Sequence, residues 1–266
     1  MNLASVKLVY FSPTKTTKSI LEHIAKGLQA EQVEVIDGTR PDVRSGDIPA
    51  FGNELVILGA PVYAGRLPAT AATWFKSLTA RKTPVIPVVV YGNRAYGDAL
   101  LELSDIAESA GCIPVAAGAF IGEHSFSTEG LPIALDRPDA ADLAAAREFG
   151  ENIRNKFLQA ETVNAMDTPN IPGNTPYKAV NPFPELAPVT HTDLCTSCGT
   201  CASVCPTGAV SENGLTETDA KKCLFCCACI KACPARAREF QGEFVPSIAN
   251  RLHQGCRERR EPETFL

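Results

Sequence analysis

The chain has no run of about 18 apolar side chains, and no cationic start leading into an apolar stretch of roughly 7 to 15. Neither membrane insertion nor export is therefore indicated, and a cytoplasmic protein with no membrane partner is the expectation. An excess of positive charge is also missing: the net charge is −5, so nucleic acid is not expected as a partner. Residues 1–190 hold 16 Lys and Arg against 21 Asp and Glu, which is the whole imbalance, and residues 191–266 are neutral overall. No G-x-G-x-x-G and no Walker A sequence occurs, which turns attention away from a dinucleotide or ATP. Cysteine is nearly absent from the first 190 residues, where Cys112 stands alone, yet the chain has eleven. Ten thiols crowded into the remainder of a chain kept in a reducing compartment point to metal ligation or catalysis rather than disulfides.

The first part alternates apolar runs with helical patterns. VKLVYF (6–11), VEVID (33–37), LVILGA (55–60), VIPVVVY (85–91) and PVAAGAF (114–120) read as strands buried on both faces, as a parallel sheet requires. Between the first two, Ile20, Leu21, Ile24, Ala25 and Leu28 share one helical face, and helical stretches follow at 69–79, 97–110 and 139–160. The connection 39–54 reads as loop. The single tryptophan, Trp74, lies in a helical stretch and is expected in the core. Five strands with helical crossovers predict a doubly wound α/β domain over residues 1–162. Residues 167–190 then hold six prolines without periodicity, which places an extended linker or strap at 163–190. A cysteine-rich module is expected at 191–240, and a charged, solvated tail at 241–266.

That module is one pattern twice. Cys195, Cys198, Cys201, Cys205 and Pro206 map onto Cys223, Cys226, Cys229, Cys233 and Pro234 at a constant offset of 28 residues. Each copy reads C-x2-C-x2-C-x3-C-P and resembles the bacterial two-cluster ferredoxins, a small α+β fold in which the fourth cysteine of each run ligates the other run's cluster. The resemblance implies one [4Fe-4S] cluster on Cys195, Cys198, Cys201 and Cys233, and another on Cys223, Cys226, Cys229 and Cys205. Cys227 breaks the register of the repeat and is spare. Cys112 reads as a small buried residue and Cys256 as a tail thiol. An Asn-Gly turn in SENGL (211–215) is expected between the copies. Zinc on CxxC pairs is the competing chemistry, though it has no use for a third cysteine and a Cys-Pro at the same offset.

At the end of the first strand, FSPTKTTKSI gathers Ser12, Thr14, Thr16 and Thr17 in a turn that opens a helix, a place for a phosphate. Ligands of doubly wound sheets bind beyond the carboxyl ends of the strands at the switch point, which for strand order 2-1-3-4-5 lies between the first and third. The third strand runs into GAPVYAGRLP, with Tyr63 and Gly65, and the fourth into YGNRAYGD, with Asn93 and Tyr96. A phosphate cradle flanked by aromatic-bearing loops suits a flat ring system on a monophosphate.

The domain thus resembles flavodoxin, and the whole chain resembles the flavodoxin-ferredoxin electron-transfer proteins. That resemblance implies FMN, its phosphate held by Ser12, Thr14, Lys15, Thr16 and Thr17. Lys15 stands where the family has glycine, so it either neutralises the phosphate or strains the turn. Pro61, Tyr63, Ala64 and Gly65 would line one face of the isoalloxazine, with Ala64-Gly65 near N5. Gly92, Asn93 and Tyr96 would line the other, with Tyr96 as the stacking ring, while His124, just after the fifth strand, reads as a solvated loop residue, with an edge to the flavin as the alternative. The implied role is an electron carrier between redox partner proteins. The alternatives are a flavin-dependent NAD(P)H or quinone oxidoreductase fed by the clusters, and a flavin-free interaction domain fused to a ferredoxin.

Overall fold

The computed structural model describes residues 3–46, 48–211 and 216–266. Chain order in the first part is β1 (Ser5–Tyr10), α1 (Thr16–Leu28), β2 (Gln32–Asp37), α2 (Pro41–Arg44), β3 (Leu55–Pro61), α3 (Ala69–Phe75), β4 (Thr83–Tyr91), α4 (Ala99–Ser109), β5 (Cys112–Pro114), β6 (Ala117–Ile121) and α5 (Ala140–Gln159). Then come β7 (Val189–Thr190), α6 (Thr200–Ser203), α7 (Ala228–Lys231), β8 (Arg238–Glu239), α8 (Phe244–Gly255) and β9 (Glu263–Phe265). The main sheet has the order β2-β1-β3-β4-β6-β9, parallel up to β6. This is the flavodoxin-like doubly wound order, with one strand added at its end.

Apolar side chains fill both faces of the sheet. α1 and α5 cover one face with Ile20, Leu21, Ile24 and Phe149, while α3 and α4 cover the other with Phe75, Trp74, Leu100 and Leu103. The two helices of the first layer touch backbone to backbone: a Cβ on Gly27 would sit 2.0 Å from Arg147 O, and one on Gly150 would sit 2.1 Å from Ile24 O. Any side chain at either position would force the layer apart. α5 begins with a capping box in which the Asp139 carboxylate accepts from the Asp142 amide and the Asp142 carboxylate accepts from the Asp139 amide.

Four expectations change. VEVID is not buried on both faces; β2 is the sheet's outer strand, with Val33 47% and Val35 49% exposed. PVAAGAF is two strands, β5 and β6, which pair in succession with β4, and the loop 39–54 contains the single helical turn α2. The tail is folded, although its charged run stays in solvent. Val245, Ala249 and Leu252 of α8 are buried, and β9 pairs antiparallel with β6, so the sheet gains a C-terminal edge. Residues 257–261 stay exposed, and one of them, Arg259, pairs with Asp139 and Asp142 of the α/β domain. The Asn-Gly turn expected at 211–215 lies outside the described residues.

The Pro-rich segment is a strap. The amides of Asn174 and Lys178 donate to the Asp98 carboxylate at 2.9 and 2.7 Å, and Tyr177 donates to Asp105. Arg66 is held by Glu102, donates to Lys178 O and lies 4.6 Å from the Tyr177 ring centre. The strap delivers the cysteine module to the carboxyl ends of the strands. There Arg44 donates to Pro206 O and Lys231 pairs with Glu123. A small apolar core formed by Phe126, Ile133, Phe225, Cys227 and Leu252 joins the two lobes. Among the described residues no helix is long and apolar enough to cross a membrane.

Candidate functional site

A cleft open to solvent lies beyond the carboxyl ends of β1, β3, β4 and β6. Thr14 and Thr16 form one end, Pro61, Tyr63 and Ala64 one wall, and Gly92 with the Gly122–Phe126 loop another. Leu224 and Phe225, from the second cysteine repeat, complete it.

The phosphate-type loop is built by its own hydroxyls. Ser12 Oγ is buried and accepts from the Lys18 amide at 3.1 Å, while the Ser12 amide donates to Thr39 Oγ1 at 2.8 Å. The turn closes with Lys15 N donating to Ser12 O, and Lys15 takes φ 66°, ψ 0° immediately before α1. The position therefore demands the left-handed conformation that glycine adopts freely, and Lys15 is held there under strain. Its side chain is exposed, so solvent screens its charge. Thr17 Oγ1 is buried with no hydrogen-bond partner among the described residues, in the first turn of a 13-residue helix. An orphaned hydroxyl there, with free helix amides beside it, fits an anion such as a phosphate.

Tyr63 and Arg66 exchange backbone hydrogen bonds around Ala64 at φ 54° and Gly65 at φ 84°, the two positive values of a type I′ turn. Asp98 N donates to Gly65 O, which ties this turn to the next loop. Burial pushes the Tyr63 hydroxyl pKa well up, and the nearby thiols of Cys226, Cys227 and Cys223 push the same way. The ring thus stands between the cleft and the second repeat.

Ser12, Lys15, Thr17, Gly65, Asn93 and Tyr96 do not line the cleft, and Thr17 is fully buried behind the loop. Asn93 is buried under the C-terminal segment: its Nδ2 donates to Cys256 O and Glu258 O, and its Oδ1 accepts from Arg260 N. Tyr96 donates to Glu263 and meets Tyr91 edge-on at 5.5 Å. The folded tail has claimed the side chains that the resemblance gave to a flavin face. His124 moves the other way, into the cleft. Its ring packs against Gly92, and Nδ1 accepts from Phe126 N at 3.0 Å, which leaves Nε2 as the protonated nitrogen of the neutral ring. Burial, with Lys231 and Arg94 nearby, lowers its pKa to about 4. Sequence reasoning passed over Glu123, Ser125 and Phe126. The one available signal was their place directly after a central strand.

The cysteines form two groups. Cys195, Cys198, Cys201 and Cys233 surround one small cavity, with Thr190, Ala237 and Arg238 beside them. Cys205, Cys223, Cys226 and Cys229 influence one another's ionisation, and Cys227 interacts with three of them, so all five are neighbours. In both groups the fourth thiol comes from the other copy. Among the described residues no three Cys, His, Asp or Glu side chains converge on a point for a single ion. The duplication extends to backbone shape: Ser197 and Phe225 (φ 55° and 56°), Gly199 and Cys227 (75° and 59°), and Gly208 and Arg236 (63° and 50°) are left-handed pairs at the same offset. Ala209 N donates to Cys205 Sγ at 3.2 Å and Ala237 N to Cys233 Sγ at 3.3 Å, as cluster-binding loops direct amides at sulfur. The groups differ in depth. Cys198 is exposed and Cys195 and Cys201 half-buried, whereas Cys205, Cys226 and Cys229 are buried. Desolvation raises the Cys226 thiol to about 12 and the Cys229 thiol to about 11.

Residues 188–211 match the 4Fe-4S binding domain family. This 4Fe-4S segment contains the first repeat. The electron transfer subunit of thiosulfate reductase from Salmonella typhi is 48% identical over 40 residues, 14% of this chain and 21% of that protein, so this chain spans about a fifth of that relative's length. Similar solved structures include a flavodoxin from the domain Archaea (14% identity, 58% of this chain and 99% of that one, TM-score 0.37). Flavodoxin 2 from Bacillus cereus (16%, 58% and 100%, 0.40) and a Streptococcus pneumoniae flavodoxin (18%, 57% and 99%, 0.40) are others. The strand order, rather than these scores, carries the flavodoxin-like fold. A flavodoxin-like sheet and a ferredoxin-type 4Fe-4S segment thus occur in one chain, as in a flavodoxin-ferredoxin fusion.

Proposed function

We propose that this chain is a cytoplasmic electron-transfer protein that holds two [4Fe-4S] clusters and FMN and relays low-potential electrons between redox partner proteins. The observation that carries the reading is a shared wall: Leu224 and Phe225, lying between Cys223 and Cys226, line the same cleft as Thr14, Tyr63 and His124. The inner thiol group therefore backs onto the flavin-type cleft, and the outer group faces solvent. Thr14, Thr16 and the orphaned Thr17 hydroxyl would hold the FMN phosphate, and Tyr63, Gly92 and His124 would bound its ring. When bound, FMN supplies a centre that takes one or two electrons, and each cluster one. Docking of the lobes replaces a diffusional encounter by a fixed short path, and covalent linkage keeps the partner present.

Anaerobic analysis should find about eight irons, eight sulfides and one FMN per chain. Zinc in place of sulfide, or clusters without releasable FMN, would overturn the reading; fast stoichiometric flavin bleaching by NADH or NADPH would make the protein an oxidoreductase. Phe225→Ser copies the sister residue Ser197, whose φ is the same within a degree. With cofactor content intact, it should slow flavin reduction after a dithionite pulse at least tenfold, and an unchanged rate would refute the shared-wall route.

A further inference from the structure

The loop after β6 holds one imidazole in a fixed place. Its backbone is pinned on both sides, with His124 N donating to Ile133 O at 3.1 Å and Ser127 N donating to His124 O at 2.9 Å. The side chain packs on Gly92, where a Cβ would sit 2.4 Å from His124 Cδ2. Gly92 lies outside the left-handed region, so the position demands glycine for the room it leaves this ring, not for backbone freedom. Phe126 meets the imidazole edge-on, with ring centres 5.3 Å apart. The Phe126 amide donates to Nδ1 at 3.0 Å, which a doubly protonated ring could not accept; the imidazole is neutral and its proton is on Nε2. Lys231 and Arg94 stand close enough to oppose a second proton, and Glu123, the acidic neighbour on the loop, is paired with Lys231. Among the described residues nothing accepts from Nε2–H, and His124 lines the cleft. A donor held this firmly and left without an acceptor at a cleft wall is available to whatever the cleft holds.

We propose that His124 Nε2–H is a fixed hydrogen-bond donor to the flavin ring, and that it holds the reduced ring more tightly than the oxidised one. This rests on the FMN reading above. On reduction two electrons enter from the cluster sites and one proton from solvent, no bond to the protein forms or breaks, and the ring is left one charge more negative. A hydrogen bond to a neutral acceptor is worth about fivefold in affinity, and one to a charged acceptor about 25-fold. The same N–H therefore favours the reduced ring over the oxidised one by about fivefold. A side chain that only filled space would favour neither.

The test uses the full-length protein, purified without oxygen, with iron and sulfide counted, then stripped of FMN and titrated with FMN by fluorescence quenching. A redox titration read by flavin absorbance follows. His124→Phe keeps an aromatic ring over Gly92 without the N–H, and His124→Gln supplies an N–H donor again. Oxidised FMN should bind His124→Phe about fivefold more weakly. At the ambient potential that half-reduces the flavin of the wild-type protein, the reduced-to-oxidised ratio in His124→Phe should fall about fivefold, a downward shift of about 20 mV for a two-electron couple. His124→Gln should restore most of both. Weaker binding with an unchanged ratio would show a packing role and overturn the proposal, as would full affinity in His124→Phe. A wild-type protein that binds no FMN would instead remove the reading beneath it. If His124→Phe does not fold, His124→Gln decides: a ratio within about twofold of wild type upholds the donor, and a larger change refutes it.

Discussion

Lys15 separates two effects that a phosphate loop usually merges. At φ 66° its backbone occupies the left-handed region, which costs a residue with a Cβ about 1–2 kcal/mol relative to the right-handed one. Lys15→Gly removes that strain but gives the unfolded chain extra freedom worth about 0.5–1 kcal/mol. The difference is a gain of about 0.5–1 kcal/mol, or about 1–4 °C in midpoint for a domain of this size. Trp74, the single tryptophan, is 5% exposed in the α/β core, so its fluorescence reports unfolding of that domain. The charge is a second matter. The ammonium is exposed and screened, so its loss should cost FMN binding less than about 1 kcal/mol, roughly fivefold in Kd. Lys15→Met keeps the strain and drops the charge; it should weaken FMN equally and leave the midpoint unchanged. A lower midpoint for Lys15→Gly, or a Kd more than tenfold weaker, would show the lysine to be a built phosphate ligand rather than a strained substitute for glycine.

Cys227→Ala should keep full iron and lower stability by about 1 kcal/mol, since its sulfur packs in the small core between the lobes; Cys226→Ala should lose about half the iron, and the reverse pattern by iron analysis would move the ligand register. His124 titrates near 4 in the folded state against 6.5 in the unfolded chain, so the unfolded state binds more protons between those values. The associated stability is fully present above about pH 6.5 and is lost as pH falls toward 4, by at most about 3 kcal/mol because the ring is not fully enclosed. Denaturation midpoints followed by Trp74 fluorescence should show that slope, and His124→Gln should flatten it; an unaltered slope would place the proton elsewhere.

The parallel sheet and the thiol repeat were legible because each is written locally. Apolar runs such as Leu55–Pro61 and Thr83–Tyr91 are buried at every position, and a repeat at constant offset needs no tertiary information. β2 misled for a related reason. Its valines suit any pleated strand, and nothing in VEVID says that only one neighbour will pair with it. The tail was opaque because CRERREPE describes solubility in isolation, and only the folded partners Asp139, Asp142 and Asn93 turn its arginines and backbone into a fastening. The two readings of His124 could not be separated in the sequence, since its exposure depends on Phe126 and on the second lobe packing around it.

β9 alters how the molecule divides. Because Glu263–Phe265 return to β6, the thiol-rich lobe is an excursion that leaves the sheet after α5 and comes back to it, not an appendage hung from one end. Separating the halves at the strap would strip a strand from the first and leave Asn93 without the backbone groups it now fastens. Grafting a different cluster carrier onto this scaffold would accordingly call for two junctions, with the returning helix and strand left in place.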